Sequence, residues 1–174
     1  MHAESSQIVA ATRLFSSGVL TKLAKSGNVR EFTALCIAAG IPLSSDTGNT
    51  VGEAFDAAFN LLKVKGLRSE YVYKAALTHN VLLGIHSLAT ASLVSEFRVG
   101  ASKADVVIFN GTSTVYEIKS ERDNLSRLEG QISDYRKFFA NVYVICAPIH
   151  ARSVEKMLPD DVGILTLSRW NRIS

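Results

Sequence analysis

Three charged residues interrupt two apolar runs near the middle of the chain, and their types could do chemistry together. Asp105 enters the run ADVVIF, while Glu117 and Lys119 stand one residue apart in the run STVYEIK. Because side chains alternate across a strand, Glu117 and Lys119 point to the same face. Burying a charge costs several kcal/mol unless something compensates it. Two carboxylates beside an ammonium therefore predict a site at this point of the sequence.

The chemistry that this set favours is metal-dependent phosphodiester hydrolysis. Two carboxylates at short range repel each other unless a cation intervenes, and Mg²⁺ prefers carboxylate and carbonyl oxygens with several waters. Such an ion would polarise a phosphoryl oxygen and lower the pKa of a bound water. The lysine would orient that water or offset the charge that builds on the phosphate.

The connection between the two runs decides whether the carboxylates converge. The Asn-Gly pair that joins the runs is a strong hairpin signal. A two-residue turn would set Asp105 opposite Tyr116, whereas a three-residue loop or a bulge would set it opposite Glu117. Since a one-residue slip exchanges the faces, the proposed chemistry requires an odd-length loop or a bulge at residues 110–113.

The elements around this site predict an α/β fold in two parts. Apolar residues recur at steps of three and four through residues 6–65, which predicts a helical unit over residues 1–66. The segment 67–174 alternates as helix, three strands, helix, strand, helix and strand. That order predicts a mixed central sheet flanked by helices, with the N-terminal unit as a helical extension.

The motif resembles the PD-(D/E)XK nuclease superfamily, whose core carries an Asp…Glu-x-Lys signature. Asp105 and the tripeptide EIK at 117–119 match that signature, and the resemblance covers roughly residues 67–147. The stretch SEFRVGASKADVVIFNGTSTVYEIKSERDNLSRLEGQISDY also looks like a small, largely uncharacterised bacterial and phage family within it. The resemblance implies a restriction-endonuclease-like fold and a Mg²⁺-dependent nuclease, with Mn²⁺ able to substitute.

Two further features are similar to motifs of related nucleases. Gln131 and Tyr135 are four residues apart on a predicted helix, as in the motif with which RecB-type exonucleases support their metal site and contact DNA. Glu70 resembles the first-helix glutamate of archaeal Holliday-junction resolvases. Each has a structural alternative: Tyr135 falls on the apolar stripe of its helix, and Glu70 with Lys74 has the spacing of an ordinary surface pair.

The resemblance assigns a role to each of these residues. The implied metal ligands are Asp105, Glu117 and the Ile118 carbonyl, assisted by Glu70, while Glu96 competes as an extra ligand or is simply solvated. Lys119 would position the attacking water, and Gln131 and Tyr135 would organise the site or hold the substrate.

DNA is the expected partner, although the bulk charge does not show it. The net charge is +3, from 19 basic and 16 acidic residues, which is too balanced to indicate a nucleic-acid binder. Positive side chains near the motif are expected to contact phosphates: Arg98, Lys103, Arg122 and Arg127. A non-catalytic nucleic-acid or protein binding module on the same fold is the alternative, as is a nuclease acting on RNA.

The remaining expectations concern compartment and assembly. Cys36 and Cys146 stand far apart in apolar contexts, which is typical of buried thiols in a reducing cytoplasm. The polar start MHAESSQ lacks the charged and apolar regions of a signal peptide, and no apolar run approaches the length of a membrane span, about 20 residues. A chain of this size also suits a homodimer, and the N-terminal helices suit a protein partner.

Overall fold

The computed structural model of the protein describes residues 2–43, 50–63, 68–85, 89–167 and 173, and for residues 2–5 it describes the backbone alone. The chain divides into two compact units, Met1–Tyr71 and Val72–Ser174. The predicted boundary at residue 66 lies outside the described residues. Each unit is therefore described by itself.

The first unit is helical and packs around phenylalanine rings. Its helices are α1 (His2–Leu14), α2 (Ser17–Ser26), α3 (Arg30–Ala38) and α4 (Val51–Leu62). The ring of Phe55 lies 5.3 Å from that of Phe15 and 5.4 Å from that of Phe32, centroid to centroid. Helix α4 begins with the capping box that the sequence predicts, in which Thr50 accepts from the Glu53 amide and Glu53 accepts from the Thr50 amide.

The second unit is a mixed α/β layer structure, which confirms the predicted fold class. Helix α5 (Glu70–Leu77) crosses the unit boundary, and a π-helical turn (Thr78–Leu82) and α6 (Leu83–Ile85) follow it. The next elements are β1 (Ser92–Val99), β2 (Ser102–Phe109), β3 (Ser113–Lys119), α7 (Leu128–Tyr135), β4 (Asn141–Cys146), α8 (Ala151–Met157) and β5 (Gly163–Thr166). The strands form a sheet in the order β1-β2-β3-β4-β5, antiparallel from β1 to β3 and parallel from β3 to β5.

The pattern of apolar residues explains which strands lie inside. Strand β4 is almost continuously apolar, whereas β3 mixes apolar and polar residues, and both are largely buried, as parallel strands with two covered faces are. Strand β1 is an edge strand and is mostly exposed. The core contains residues of α7 and α8 together with sheet residues, and its fully buried helical members are Leu128, Ile132, Tyr135 and Val154.

A close approach between two strands depends on one glycine. Gly163 of β5 pairs with Tyr143 of β4, and a Cβ at Gly163 would collide with the Tyr143 ring. The Tyr143 ring in turn stacks on Tyr116 of β3, with centroids 5.4 Å apart and an interplanar angle of 17°. The glycine therefore leaves room for an aromatic pair that joins β3 to β4.

Within the described ranges of the chain, no helix has the length and the apolar character that crossing a membrane requires.

Candidate functional site

The β2–β3 hairpin has the odd-length loop that the sequence argument required. The ladder ends at the pair Phe109 and Ser113, so the loop consists of residues 110–112. The Asn110 amide donates to the Thr112 carbonyl at 3.1 Å, and Gly111 adopts φ +85°, where a side chain would be strained. This register, continued past the last ladder pair, sets Asp105 level with Glu117. The predicted odd-length loop is confirmed, and the convergence of the two carboxylates on one ligand remains a prediction.

Asp105 lies where β2 and β3 stop exchanging backbone hydrogen bonds. The ladder between them ends at the pair Val106 and Tyr116. Beyond that pair, the Ile118 amide donates to the Asp105 carboxylate at 2.7 Å. The carboxylate thus accepts from a backbone amide just past the end of the ladder, where buried backbone donors need partners.

Glu117 and Lys119 form an ion pair that is almost closed to solvent. Their exposed fractions are 1% and 5%, and the Lys119 ammonium lies 2.7 Å from Glu117 Oε1. The same ammonium donates to the side-chain oxygen of Gln131 on α7 at 3.0 Å. A buried charge pair requires this kind of additional hydrogen bonding to offset its desolvation.

The Tyr135 hydroxyl completes this arrangement from the next turn of α7. It lies 2.8 Å from the second Glu117 carboxylate oxygen and 3.0 Å from the Lys103 carbonyl. Burial raises the pKa of Tyr135 far above its usual value of 10.0, and the charge of Glu117 followed by that of Asp105 raises it further. We call Glu117, Lys119, Gln131 and Tyr135 the buried polar network.

The sequence correctly predicted which helical side chains reach the motif. Gln131 contacts Lys119 as expected, whereas Tyr135 reaches Glu117 instead. Leu128 and Ile132 lie on the same helix and pack into the core, also as expected. In the network, each oxygen of the Glu117 carboxylate already has a donor.

Glu96 proves to be an ion-pair centre on β1, which sequence reasoning left open. It accepts from Lys74 at 2.7 Å and also pairs with Lys103, and these two hydrogen bonds, that from Lys103 first, hold its pKa below the usual range. One of its oxygens lies within 4.8 Å of an Asp105 oxygen. Its backbone is left-handed, at φ +60°. No signal in the sequence marks the contact with Lys74, because that residue is distant along the chain.

Glu70 is the first residue of α5 and belongs to the first compact unit. Its role as a metal ligand remains a prediction.

The four predicted phosphate-binding residues lie toward one end of the sheet. Arg98 pairs directly with Lys103 across β1 and β2, and the same register sets Lys103 level with Lys119 at the end of β3. Arg122 and Arg127 lie in the segment that follows β3, and Arg127 is the N-cap of α7. All four are exposed. We call Arg98, Lys103, Arg122 and Arg127 the basic end.

The carboxylates near the basic end are engaged locally. Glu121 accepts from the Tyr73 hydroxyl at 3.2 Å, and Asp123 accepts from the amide and the hydroxyl of Ser120 at 2.7 and 2.6 Å. The guanidinium groups of Arg98, Arg122 and Arg127, in contrast, have no hydrogen-bonding or ion-pair partner among the described residues. The exposed positive charge is therefore available for an external anion.

Comparison with known proteins places the chain in a family. Residues 63–174 match the family described as Bacteriophage P4 protein cII. The chain belongs to this family. It is 35% identical over 86 residues to the protein named "Protein cII" from Enterobacteria phage P4, a match that covers 48% of this chain and 33% of that relative. The chain thus matches about a third of the length of the relative.

Membership of this family corrects the sequence analysis. The assignment to the PD-(D/E)XK superfamily is wrong. The restriction-endonuclease label, the hydrolase classification and the metal-dependent nuclease activity, on DNA or on RNA, depended on that assignment and are wrong as well. The resemblance rested on a short set of polar residues, which the structure brings together as a hydrogen-bonded network. The ligand set of Glu70, Asp105, Glu117 and the Ile118 carbonyl, and Mg²⁺ itself, remain predictions without a catalytic role attached.

Proposed function

We propose that this protein is a non-catalytic nucleic-acid-binding module, with DNA as its ligand, and that it holds the phosphate backbone on its basic end. The observation that carries this proposal is the asymmetry at that end of the sheet. Three arginines there have no partner among the described residues, while the neighbouring Glu121 and Asp123 are hydrogen-bonded within the unit. Contacts from arginine to phosphate are sequence-independent and supply most of non-specific affinity.

The position of Arg127 at the start of α7 supports the proposal, because a cation there does not stabilise the helix. It stands at the N-cap of α7 and makes no capping hydrogen bond with its side chain. A cation at this position opposes the positive end of the helix dipole, whereas an anion is favoured there. Arg127 therefore does not serve the stability of α7, and a phosphate beside it would be attracted both by the guanidinium and by the helix terminus.

The buried polar network supports the proposal as a scaffold. Gln131 and Tyr135 tie α7 to Glu117 and Lys119 of β3. The segment that carries Arg122 and Arg127 connects these two elements, so the network fixes both of its ends. A fixed segment loses less conformational entropy when it binds a phosphate backbone.

The test is the salt dependence of DNA binding in Arg122→Ala/Arg127→Ala. For duplex DNA the slope of log Kobs against log salt is about −0.9 for each phosphate that is neutralised. The double variant should therefore bind more weakly at low salt, with a slope shallower by about 2. Fluorescence anisotropy of a labelled duplex over a salt series measures both quantities.

The matched control removes two positive charges from the N-terminal helical unit instead. Lys25 and Arg30 are exposed residues of α2 and α3, so Lys25→Ala/Arg30→Ala should leave the slope unchanged if the basic end is the binding surface. Equal losses in both double variants would show that net charge alone attracts DNA. If the unmodified protein binds no DNA at low salt, the proposed function is wrong.

A further inference from the structure

An aromatic groove lies beside the basic end and shares Arg98 with it. It has a volume of about 340 Å³ and is lined chiefly by Phe97, Phe109, Phe138 and Phe139, with Arg98 among the lining residues. Such a volume is at the lower end of the range for small-ligand pockets, about 300–1,000 Å³. The groove is large enough for one flat ring system.

Three of the four phenylalanines of the groove are exposed to an unusual degree, while Phe139 belongs to the core. Phe138 is 64% exposed, and Phe97 and Phe109 are each 38% exposed. The ring of Phe97 packs edge-on against those of Phe109 and Phe139, with both centroid distances at 6.2 Å. Phe138 makes no ring contact with another aromatic among the described residues, so its face is available. A contiguous exposed apolar patch marks an interaction site more often than an isolated residue does.

The composition of the groove indicates what it binds. Its lining includes four phenylalanines against one aliphatic side chain, Val99, and aromatic rings suit a flat π-system better than an aliphatic peptide. Arg98 is the charged lining residue, and no carboxylate lines the groove. The adjacent Asp134 is engaged by the Ser102 hydroxyl at 2.7 Å and by Lys137 at 3.2 Å. The groove therefore complements a ligand that joins a flat ring to a negative charge.

We propose that this groove binds an unpaired nucleobase of a single-stranded nucleic acid, which stacks on Phe138 while Arg98 contacts the adjacent phosphate. The proposal rests on the proposed function and adds to it a preference for single strands over duplex. In a duplex the faces of the bases are occupied by their neighbours, so only an unpaired base can offer a face to Phe138. Because Arg98 belongs both to the groove and to the basic end, one strand could follow both surfaces.

The experiment compares a labelled oligothymidine with a duplex of equal length, by fluorescence anisotropy on the full chain. Phe138→Ala should weaken binding of the single strand by about fivefold or more, the scale for losing one base–aromatic stack. It should leave the affinity for duplex unchanged. Phe138→Tyr, which keeps the ring, should restore binding of the single strand.

The control is Ile149→Ala, which truncates a side chain that is 76% exposed and lies outside the groove. It should leave both affinities unchanged. Circular dichroism should show that every variant is folded, as expected for changes at exposed positions.

Different failures separate the two proposals. If Phe138→Ala binds the single strand normally while Arg122→Ala/Arg127→Ala weakens both ligands, the groove proposal is overturned and the proposed function stands. If the unmodified protein binds neither ligand, both are wrong. Self-association in sedimentation that is lost in Phe138→Ala would identify the groove as an interface between copies of the chain and would overturn the assignment to nucleobases.

Discussion

At the scale of single residues, the charged motif is explained by side chains that satisfy one another's charges and hydrogen bonds. The Lys119 ammonium lies between the Glu117 carboxylate and the Gln131 amide oxygen, while Tyr135 serves the second oxygen of Glu117. Glu117, Lys119 and Tyr135 are buried and Gln131 is half-buried, so the buried groups depend on one another and on Gln131 for their hydrogen bonds. A buried network of this kind specifies how α7 lies on β3.

Removing the cation from this network should be costly. Lys119→Met leaves the Glu117 carboxylate buried beside an apolar chain, and breaking a buried pair in this way lowers the free energy of unfolding by about 3–5 kcal/mol. Urea denaturation at neutral pH, followed by circular dichroism, measures the loss.

The compensating variant is Glu117→Gln/Lys119→Met. It removes the second charge while keeping an acceptor for Tyr135, so it should recover most of the stability lost in Lys119→Met. A double variant no more stable than the single one would show that shape, and not charge, determines the stability of this site.

The sequence predicted which residues of the motif contact one another, but it did not predict the role of the motif. Alternation along β3 and helical spacing along α7 are local rules, and they were sufficient to bring Glu117, Lys119 and Gln131 together. The same three residue types satisfy one another in a buried network or surround a metal ion in an enzyme. Residue identity and spacing do not distinguish these cases, because the difference lies in solvent access and in longer stretches of sequence.

At the scale of elements, the approach of β4 to β5 depends on the absence of a side chain. A methyl group at Gly163 would collide with the Tyr143 ring, which is itself stacked on Tyr116. Gly163→Ala should therefore lower the free energy of unfolding by about 1–3 kcal/mol, the usual cost of overpacking. Thermal and urea denaturation measure this change.

The matched substitution is Gly130→Ala in α7, where a new methyl group would meet no atom within 4 Å. Because alanine is the better helix former, this variant should gain about 0.5–1 kcal/mol. Loss of stability in both variants would contradict the steric explanation for Gly163.

Periodicity predicted the order of the strands and of the helices between them, yet it did not indicate one conformational break inside a strand. The run SEFRV contains no glycine, so nothing in it indicates the left-handed backbone of Glu96. Such a conformation costs a residue with a side chain about 1–2 kcal/mol. Here the Glu96 carboxylate is held by Lys103 of the neighbouring strand and by Lys74, which is distant in sequence, and local pattern rules cannot detect the contact with Lys74.

At the scale of the whole molecule, burial predicts an uneven stability across the sheet. Strands β3 and β4 are central and largely buried, whereas β1 is an exposed edge. Amides of β3 and β4 should exchange with deuterium most slowly among the strands, and those of β1 fastest. Hydrogen exchange with mass spectrometry on the full chain measures this order.

Protection of β1 equal to that of β3 would contradict this ranking. It would indicate that a second chain covers the edge, as the expected homodimer could.

The family match and the compact units divide the chain at similar places. Residues 63–174 carry the match, and the compact second unit begins at Val72. Most of the N-terminal helical unit therefore lies outside the matched region, and its role as a partner-binding extension remains a prediction. Sequence periodicity identified those helices because each buries one stripe, which is a local property.

The left-handed residue in β1 also bears on the behaviour of the protein in concentrated solution. An exposed edge strand offers a row of amides and carbonyls to any extended chain, and long flat edges nucleate aggregates. Glu96 interrupts the extended geometry of β1 between Ser95 and Phe97, and its ladder with β2 omits that residue. The edge is thus divided into two short stretches with a charged kink between them. We therefore expect this interruption of β1 to disfavour growth of the sheet by strand addition.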